Sequence, residues 1–182
     1  MVYGPKEDSY FLSEILEEYI NEIPEKERKN LKALDMGTGS GIQAETLLEN
    51  GLKRENIVCA DIDEKAIDEI GAKFKTIKTD LFSNIDQKFD IIVFNPPYLP
   101  EDEYDKERDT SGGKNGDETI INFLRDAQKY LNKEGKIILL LSSLTPRYKI
   151  NKVLERKGMA KKKIAEKLLF FESLEIFEIT IS

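Results

Sequence analysis

The chain has 182 residues, 40% hydrophobic and 35% charged, with a formal net charge of −7. That length fits one domain with a sizeable core, the composition fits a globular chain, and the acidic balance argues against a non-specific nucleic-acid binder. With no histidine and one cysteine, an intrachain disulfide, a thiolate zinc cluster, a Ser–His–Asp triad and most transition-metal sites are excluded.

No apolar run reaches membrane-spanning length and the N-terminus carries no signal-peptide core, so the sequence predicts a soluble, cytoplasmic protein. Its chemistry must rest on carboxylates, amides, hydroxyls, lysines and backbone groups, or on a cofactor that brings its own reactivity.

In chain order, an irregular entry leads to a helix over Ser9–Tyr19. Phe11, Leu12, Ile15, Leu16 and Tyr19 share one face of it, and Asp8 or Ser9 can cap it. Pro24 and the charged stretch Glu25–Asn30 make a surface linker or short helix. Leu31–Met36 reads as a strand, followed at once by Gly37-Thr38-Gly39-Ser40-Gly41. Ile42–Asn50 is a helix closed by Gly51. Ile57–Ala60 is a second strand ending in Asp61, Glu64–Gly71 a second helix, and Phe74–Lys78 a third strand ending in Asp80-Leu81.

The apolar run from Phe89 to Phe94 reads as a buried fourth strand and stops at Asn95-Pro96-Pro97-Tyr98. Two prolines cannot continue a ladder, because each lacks an N–H and has a fixed φ. Glu101–Glu118, with Gly112-Gly113 and Gly116, is irregular. Thr119–Leu131 is a helix, Lys136–Leu141 a fifth strand, Arg147–Lys157 a helix closed by Gly158, and Lys161–Ser182 two strands around Phe171–Ser173.

Short strands of Val, Ile and Leu alternating with helices predict a single α/β domain over 1–182, doubly wound on a mainly parallel sheet. Residues 1–30 form its N-terminal helical cap segment. The last two strands have no helix between them and must form an antiparallel hairpin at the sheet's edge. Ligands in such sheets bind beyond the strands' C-terminal ends. Asp35 with the glycine loop, Asp61, Asp80 and Asn95 all fall there.

The loop is Gly37-x-Gly39-x-Gly41, whose glycines let backbone lie against a ligand. A carboxylate at Asp35 repels phosphate and suits an ammonium. Asp61 can accept both hydroxyls of a ribose, and Asp80 an adenine amino group, with Leu81 against the ring. An ammonium, a ribose and an adenine without phosphate describe S-adenosylmethionine (SAM), and the pattern resembles the seven-stranded class I methyltransferases. A nicotinamide dehydrogenase fits worse, because the third glycine is misplaced.

Asn95-Pro96-Pro97-Tyr98 is similar to the motif of methyltransferases that modify a nitrogen on a planar system. The Asn95 and Pro96 carbonyls can each accept one N–H, and Tyr98 can pack on the target's plane. Catalysis is then positioning and desolvation, with no histidine required. Val2-Tyr3-Gly4-Pro5-Lys6-Glu7-Asp8-Ser9 resembles the N-terminal segment of HemK-type protein N5-glutamine methyltransferases, in their short archaeal and eukaryotic branch. Gly112-Gly113-Lys114-Asn115-Gly116 resembles that branch's glycine-rich segment.

The resemblance implies a substrate, the glutamine of the Gly-Gly-Gln loop of a class I peptide-chain release factor. It implies cofactor contacts from Ser9, Asp35, Gly37, Gly39, Gly41, Asp61, Asp80, Leu81 and Asn95, and substrate contacts from Asn95, Pro96 and Tyr98. Ser9 stands where threonine is common, and the bacterial branch's N-terminal helical domain has no counterpart. Relatives in the short branch work with a small zinc-binding activator that pairs along an edge strand, which implies such a partner where Phe74 and Ile77 lie.

Alternatives sharing the corner are a nucleic-acid exocyclic-amine methyltransferase and a protein lysine methyltransferase. A SAM-binding scaffold without activity would not need it. Cys59 reads as a buried small side chain, and the acidic stretch Glu101–Asp105 as a solvated loop rather than a metal site. The basic cluster from Lys152 to Lys163 reads as a helix-and-strand surface, and Tyr3 and Tyr10 either close over the cofactor or simply pack.

Overall fold

The computed structural model describes residues 6–97 and 117–181. Seven strands form one sheet in the order β3-β2-β1-β4-β5-β7-β6. They are β1 (Ala33–Met36), β2 (Ile57–Asp61), β3 (Lys75–Lys78), β4 (Phe89–Phe94), β5 (Leu131–Ser142), β6 (Met159–Leu168) and β7 (Ser173–Ile181). β1 to β5 pair in parallel, while β7 runs antiparallel to both β5 and β6. The predicted hairpin is present at the sheet's edge, with β7 inserted beside β5, so that of its two strands only β6 is an edge; β3 is the opposite edge.

Side chains alternate between the sheet's two faces, as a pleated strand requires. Leu34, Val58, Ile92, Phe94, Ile137 and Leu139 face one way. They pack under α5 (Glu118–Ala127) and α6 (Arg147–Arg156) through Phe123, Leu124, Ile150 and Leu154. Ala33, Ile57, Cys59, Val93, Ile138 and Leu140 face the other way, under α1 (Glu7–Asn21) and α3 (Ile42–Glu49). On that side α1 supplies Phe11, Leu12, Leu16 and Ile20 at helical spacing. The short α2 (Glu25–Arg28) is polar and buries nothing, and α4 (Glu64–Ile70) follows β2, capped by the Asp63 side chain.

Several boundaries differ from the sequence expectation by a few residues, and two of them matter here. α1 begins at Glu7, and its N-cap, Lys6, makes no side-chain cap bond. Asp8 and Ser9 therefore lie inside the first turn instead of capping it. There the acidic pair Glu7 and Asp8 complements the helix dipole. The second difference is Leu131, expected to end a helix. α5 stops at Ala127, a 3-10 turn covers Gln128–Tyr130, and Leu131 already pairs with Phe89 as the first residue of β5. The apolar period runs straight through this junction, so periodicity alone could not mark it. Gly51 and Gly158 follow their helices with φ of +102° and +61°, as predicted.

Gly135 sits where the β4–β5 register shifts. A Cβ on it would lie 2.8 Å from the Phe89 carbonyl oxygen. Gly135→Ala should therefore lower the unfolding free energy by about 1–3 kcal/mol, read as a reduced urea midpoint with an unchanged slope. An unchanged midpoint would contradict this packing.

Candidate active site

The register of the central strands lines up three of the predicted residues. Met36 is level with Ala60 of β2 and Phe94 of β4. The next residues in each strand are Asp61, Gly37 and Asn95, so these stand side by side at the sheet's C-terminal edge, separated by strand spacings of roughly 4.8 Å. Gly37 has φ +63°, and a Cβ there would press on the Phe94 ring at 3.3 Å. Gly41 has φ +81°, and its Cβ would meet Ile70 at 3.1 Å. Glycine is the residue both positions allow.

Side-chain hydrogen bonds hold the loop. The Thr38 hydroxyl donates to Asp35 Oδ2 at 2.6 Å, and the Gly39 N–H donates to Asp61 Oδ2 at 2.9 Å. The Asp63 N–H donates to Asp61 Oδ1 at 2.9 Å. Each Asp61 oxygen thus accepts one backbone N–H and keeps a lone pair for a further donor. Asp35 differs. It is buried, and burial pushes its carboxyl up to about 7, against the Thr38 hydrogen bond and the Ala44 N–H that hold it down. It braces the loop from beneath and places acidity there, instead of reaching outward as an exposed ligand would. Cys59, level with Asp35, is buried, and burial raises its thiol out of the reactive range.

On the β3 side, Leu81 adopts φ +48°, a conformation that costs a non-glycine residue on the order of 1–2 kcal/mol. Its turn is tied down. The Thr79 hydroxyl donates to the Leu81 carbonyl at 3.0 Å and accepts the Asn84 N–H at 3.0 Å, while the Asn84 side chain donates to the Lys78 carbonyl at 2.9 Å. Asp80 is exposed beside it. Ile62, 63% exposed directly after Asp61, offers an apolar surface at the same edge. Sequence reading passed over it, although its place next to Asp61 was a usable signal.

Asn95 is the centre of the site. Its Nδ2 donates to Asp8 Oδ2 at 3.2 Å, with Ser9 Oγ at 3.5 Å. A carboxylate accepts and does not donate, so the NH₂ end must face Asp8. Asn95 Oδ1 is then left buried without a hydrogen-bond partner. The motif itself enforces this. The local donors that would satisfy an asparagine carbonyl belong to the next two residues, and Pro96 and Pro97 have no N–H.

Asp8 was not among the predicted site residues. Its contact spans 87 positions, and no local pattern encodes it. Gln43 was also missed. It is buried in the first turn of α3 and donates to the Ser9 carbonyl at 2.9 Å, tying α1 to the glycine loop. Among the predicted residues, the register and these bonds bring together Ser9, Asp35, Gly37, Gly39, Gly41, Asp61 and Asn95. Asp80 and Leu81 flank them beyond β3, and Pro96 is buried beside Asn95. Tyr98, Tyr3, Glu101–Asp105 and the glycine-rich segment at 112–116 lie outside the described residues. Tyr10 is exposed, and no group of metal ligands occurs among the described residues.

The arrangement leaves one lone pair free on each Asp61 oxygen, apolar side chains at Leu81 and Ile62 beside it, and the Asn95 carbonyl oxygen without a hydrogen-bond partner. The methyltransferase small domain model matches residues 13–168. The chain belongs to the methyltransferase small domain family, in its protein N5-glutamine methyltransferase branch. A Methanocaldococcus jannaschii protein named "Putative protein N5-glutamine methyltransferase" is 36% identical over 79% of this chain and 74% of its own length. The eRF1 methyltransferase catalytic subunit of Schizosaccharomyces pombe is 26% identical over 98% of this chain and 88% of its own. The E. cuniculi Mtq2–Trm112 complex, described as responsible for methylation of the eRF1 termination factor, contains a chain matching with a TM-score of 0.74. It is 26% identical and covers 100% of this chain and 99% of that one. Against the bacterial release factor glutamine methyltransferase of Rhodopirellula baltica, the chain spans 47% of the relative's length.

Asp35 gives a pH test. Its carboxyl titrates near 7 when folded and near 3.9 when unfolded. Between these values the folded state holds a proton that the unfolded state lacks. Stability from this group is therefore full below the unfolded pKa and falls by about 1.4 kcal/mol per pH unit as pH rises toward 7. The stability difference between Asp35→Asn and the parent should grow in the variant's favour across that window. A difference independent of pH would contradict the burial.

Proposed function

We propose that this enzyme transfers a methyl group from SAM to the side-chain amide nitrogen of the Gly-Gly-Gln glutamine of a class I peptide-chain release factor. One observation carries the reading: Asn95 Oδ1 is buried without a partner while Asp8 holds the other end of the amide. A primary amide has two N–H groups and a delocalised lone pair, and is a poor nucleophile until its plane is fixed. Asn95 Oδ1 and the Pro96 carbonyl each accept one N–H and present a face of the nitrogen.

The residues present fit the cofactor. Asp61 keeps a lone pair on each oxygen for the ribose hydroxyls, and Gly37 leaves backbone exposed above β1, with Gly39 and Gly41 shaping the turn beside it. Leu81 and Ile62 provide apolar walls for adenine, and exposed Asp80 can accept from its amino group. Ser9, in the first turn of α1, has its hydroxyl 3.5 Å from Asn95 Nδ2, where the reactive end would lie, and Asp35 favours the ammonium from below the loop through its negative charge when ionised. When bound, the cofactor supplies an electrophilic sulfonium methyl. The chain's part is to hold the acceptor nitrogen in line and keep water off it. The names and coverage of the relatives support the same substrate class. The net charge of −7 weighs against a polynucleotide carrying the acceptor amine.

We further propose that a small zinc-binding activator pairs with the outer edge of β3. β3 is the end strand, and an end strand leaves a row of backbone groups open to pairing. The residues singled out from sequence do not cover apolar surface there. Phe74 is buried just before the strand, and Ile77 packs on the core. The strand's exposed side chains are Lys75 and Lys78, so pairing would rest on the backbone.

The test uses labelled SAM with the archaeal release factor, its Gly-Gly-Gln Gln→Ala mutant, and total RNA or DNA. Label should appear on the factor and vanish in its mutant. Label only on nucleic acid, or persisting in the mutant, would sink the glutamine reading. Asn95→Ala should lose on the order of 10²–10³-fold in turnover with SAM affinity largely kept; normal turnover would refute its role. Adding the archaeal activator should raise activity. A chain equally active, soluble and monomeric without it would remove the partner.

A further inference from the structure

Beyond β5 the sheet carries a surface that this chemistry leaves unused. β6 and β7 are joined by the turn Leu169–Glu172, closed by the Leu169 N–H donating to the Glu172 carbonyl at 2.8 Å. At this turn Phe170 is 93% exposed, Phe171 85% and Leu168 81%. The two rings pack edge to face with centroids 4.6 Å apart. Leu144, 60% exposed, lies in the segment after β5 that pairs with the start of β7. The preceding Ser143 donates its N–H to the Ser173 carbonyl at 2.8 Å and takes the Ser173 N–H on its hydroxyl at 2.9 Å.

The turn is braced. Leu169 packs on the core under α1, and the Glu172 carboxylate bonds the Ser142 hydroxyl. Four large apolar side chains held in water on a rigid support form a contact surface made in advance, since ordering them on binding costs little.

Its position relates it to the acceptor. β7 is antiparallel to β5, so the turn lies at the same edge of the sheet to which β4 delivers Asn95. Lys167, one residue before the exposed group, pairs with Glu7 at 3.1 Å and lies 5.9 Å from the Phe11 ring centroid. Glu7 adjoins Asp8, which holds the Asn95 amide. The strand order places the cofactor-type residues on β1, β2 and β3, Asn95 in the middle, and the aromatic turn on the opposite flank. The turn therefore lies on the same sheet edge as Asn95, with β5 between β4 and β7.

We propose that Leu144, Leu168, Phe170 and Phe171 form the docking ridge for the folded polypeptide that carries the acceptor amide, gripping apolar residues outside the modified loop. This rests on the release-factor reading. A small-molecule acceptor would need only the pocket, whereas a protein presenting one side chain to Asn95 must lay neighbouring surface along this edge.

The test compares the parent chain with Phe170→Ser/Phe171→Ser on the intact archaeal release factor. Both side chains are exposed, so fold and SAM affinity should be unchanged, as thermal unfolding and SAM titration would show. KM for the factor should rise at least about tenfold with kcat little altered, as for loss of interface aromatics. An unchanged KM, with the parent methylating the factor normally, overturns the ridge alone. So does a parent that sediments as a dimer which the double variant dissolves without a change in KM. Failure of the parent to methylate the factor at all overturns the release-factor reading itself.

Discussion

A buried amide carbonyl with no hydrogen-bond partner costs on the order of 1–3 kcal/mol. This chain keeps one in place by three separate means. The parallel register carries Asn95 level with Gly37 and Asp61 at the sheet's edge. Asp8 takes the NH₂ end and so turns the carbonyl the other way. Pro96 and Pro97 remove the backbone donors that would otherwise satisfy it. The cost is local, and two well-packed faces of a seven-stranded sheet supply the stability that tolerates it. A donor from outside, an N–H of a planar group, recovers that cost on arrival.

The surrounding parts serve the same geometry. The glycine loop can lie flat because Asp35 and Asp61 hold it through Thr38 and Gly39. Gln43 ties the loop's helix to the backbone of Ser9, and Asp8 ties the same helix α1 to Asn95. The strained backbone at Leu81 is fixed by Thr79. Strain of this kind persists only where neighbours over-determine it, and it clusters at binding sites. On the far flank, the β6–β7 turn is anchored to α1 through Lys167 and Glu7. One helix therefore links the acceptor amide to the exposed aromatic ridge.

Much of this was legible in the sequence, because its signals are local. Short apolar runs marked β1, β2, β4 and β5, an alternating run marked β3, the glycine spacing marked the loop, and Asp61 and Asn95 were placed by the strands they end or follow. What escaped depends on contacts between distant positions. Asp8 looked like a cap and proved to be the partner of Asn95. Gln43 looked like an ordinary helix residue. Leu131 continued a helical period yet begins a strand, since pairing with Phe89 outweighs the local pattern. Phe74 and Ile77 read as edge surface but are drawn into the core, which propensity and alternation do not reveal. The narrowing from a planar nitrogen to a glutamine side chain came from resemblance in the N-terminal segment, and the Methanocaldococcus jannaschii relative carries N5-glutamine methyltransferase in its name.

In the proposed reaction Asn95, oriented by Asp8, receives the acceptor amide. The most direct test is a crystal structure of the chain with S-adenosylhomocysteine and a Gly-Gly-Gln peptide. It should show the glutamine NH₂ within hydrogen-bond distance of Asn95 Oδ1 and the Pro96 carbonyl, with Asn95 Nδ2 still on Asp8. A glutamine amide bound elsewhere, or an Asn95 carbonyl taken up by a group of the protein itself, would contradict it.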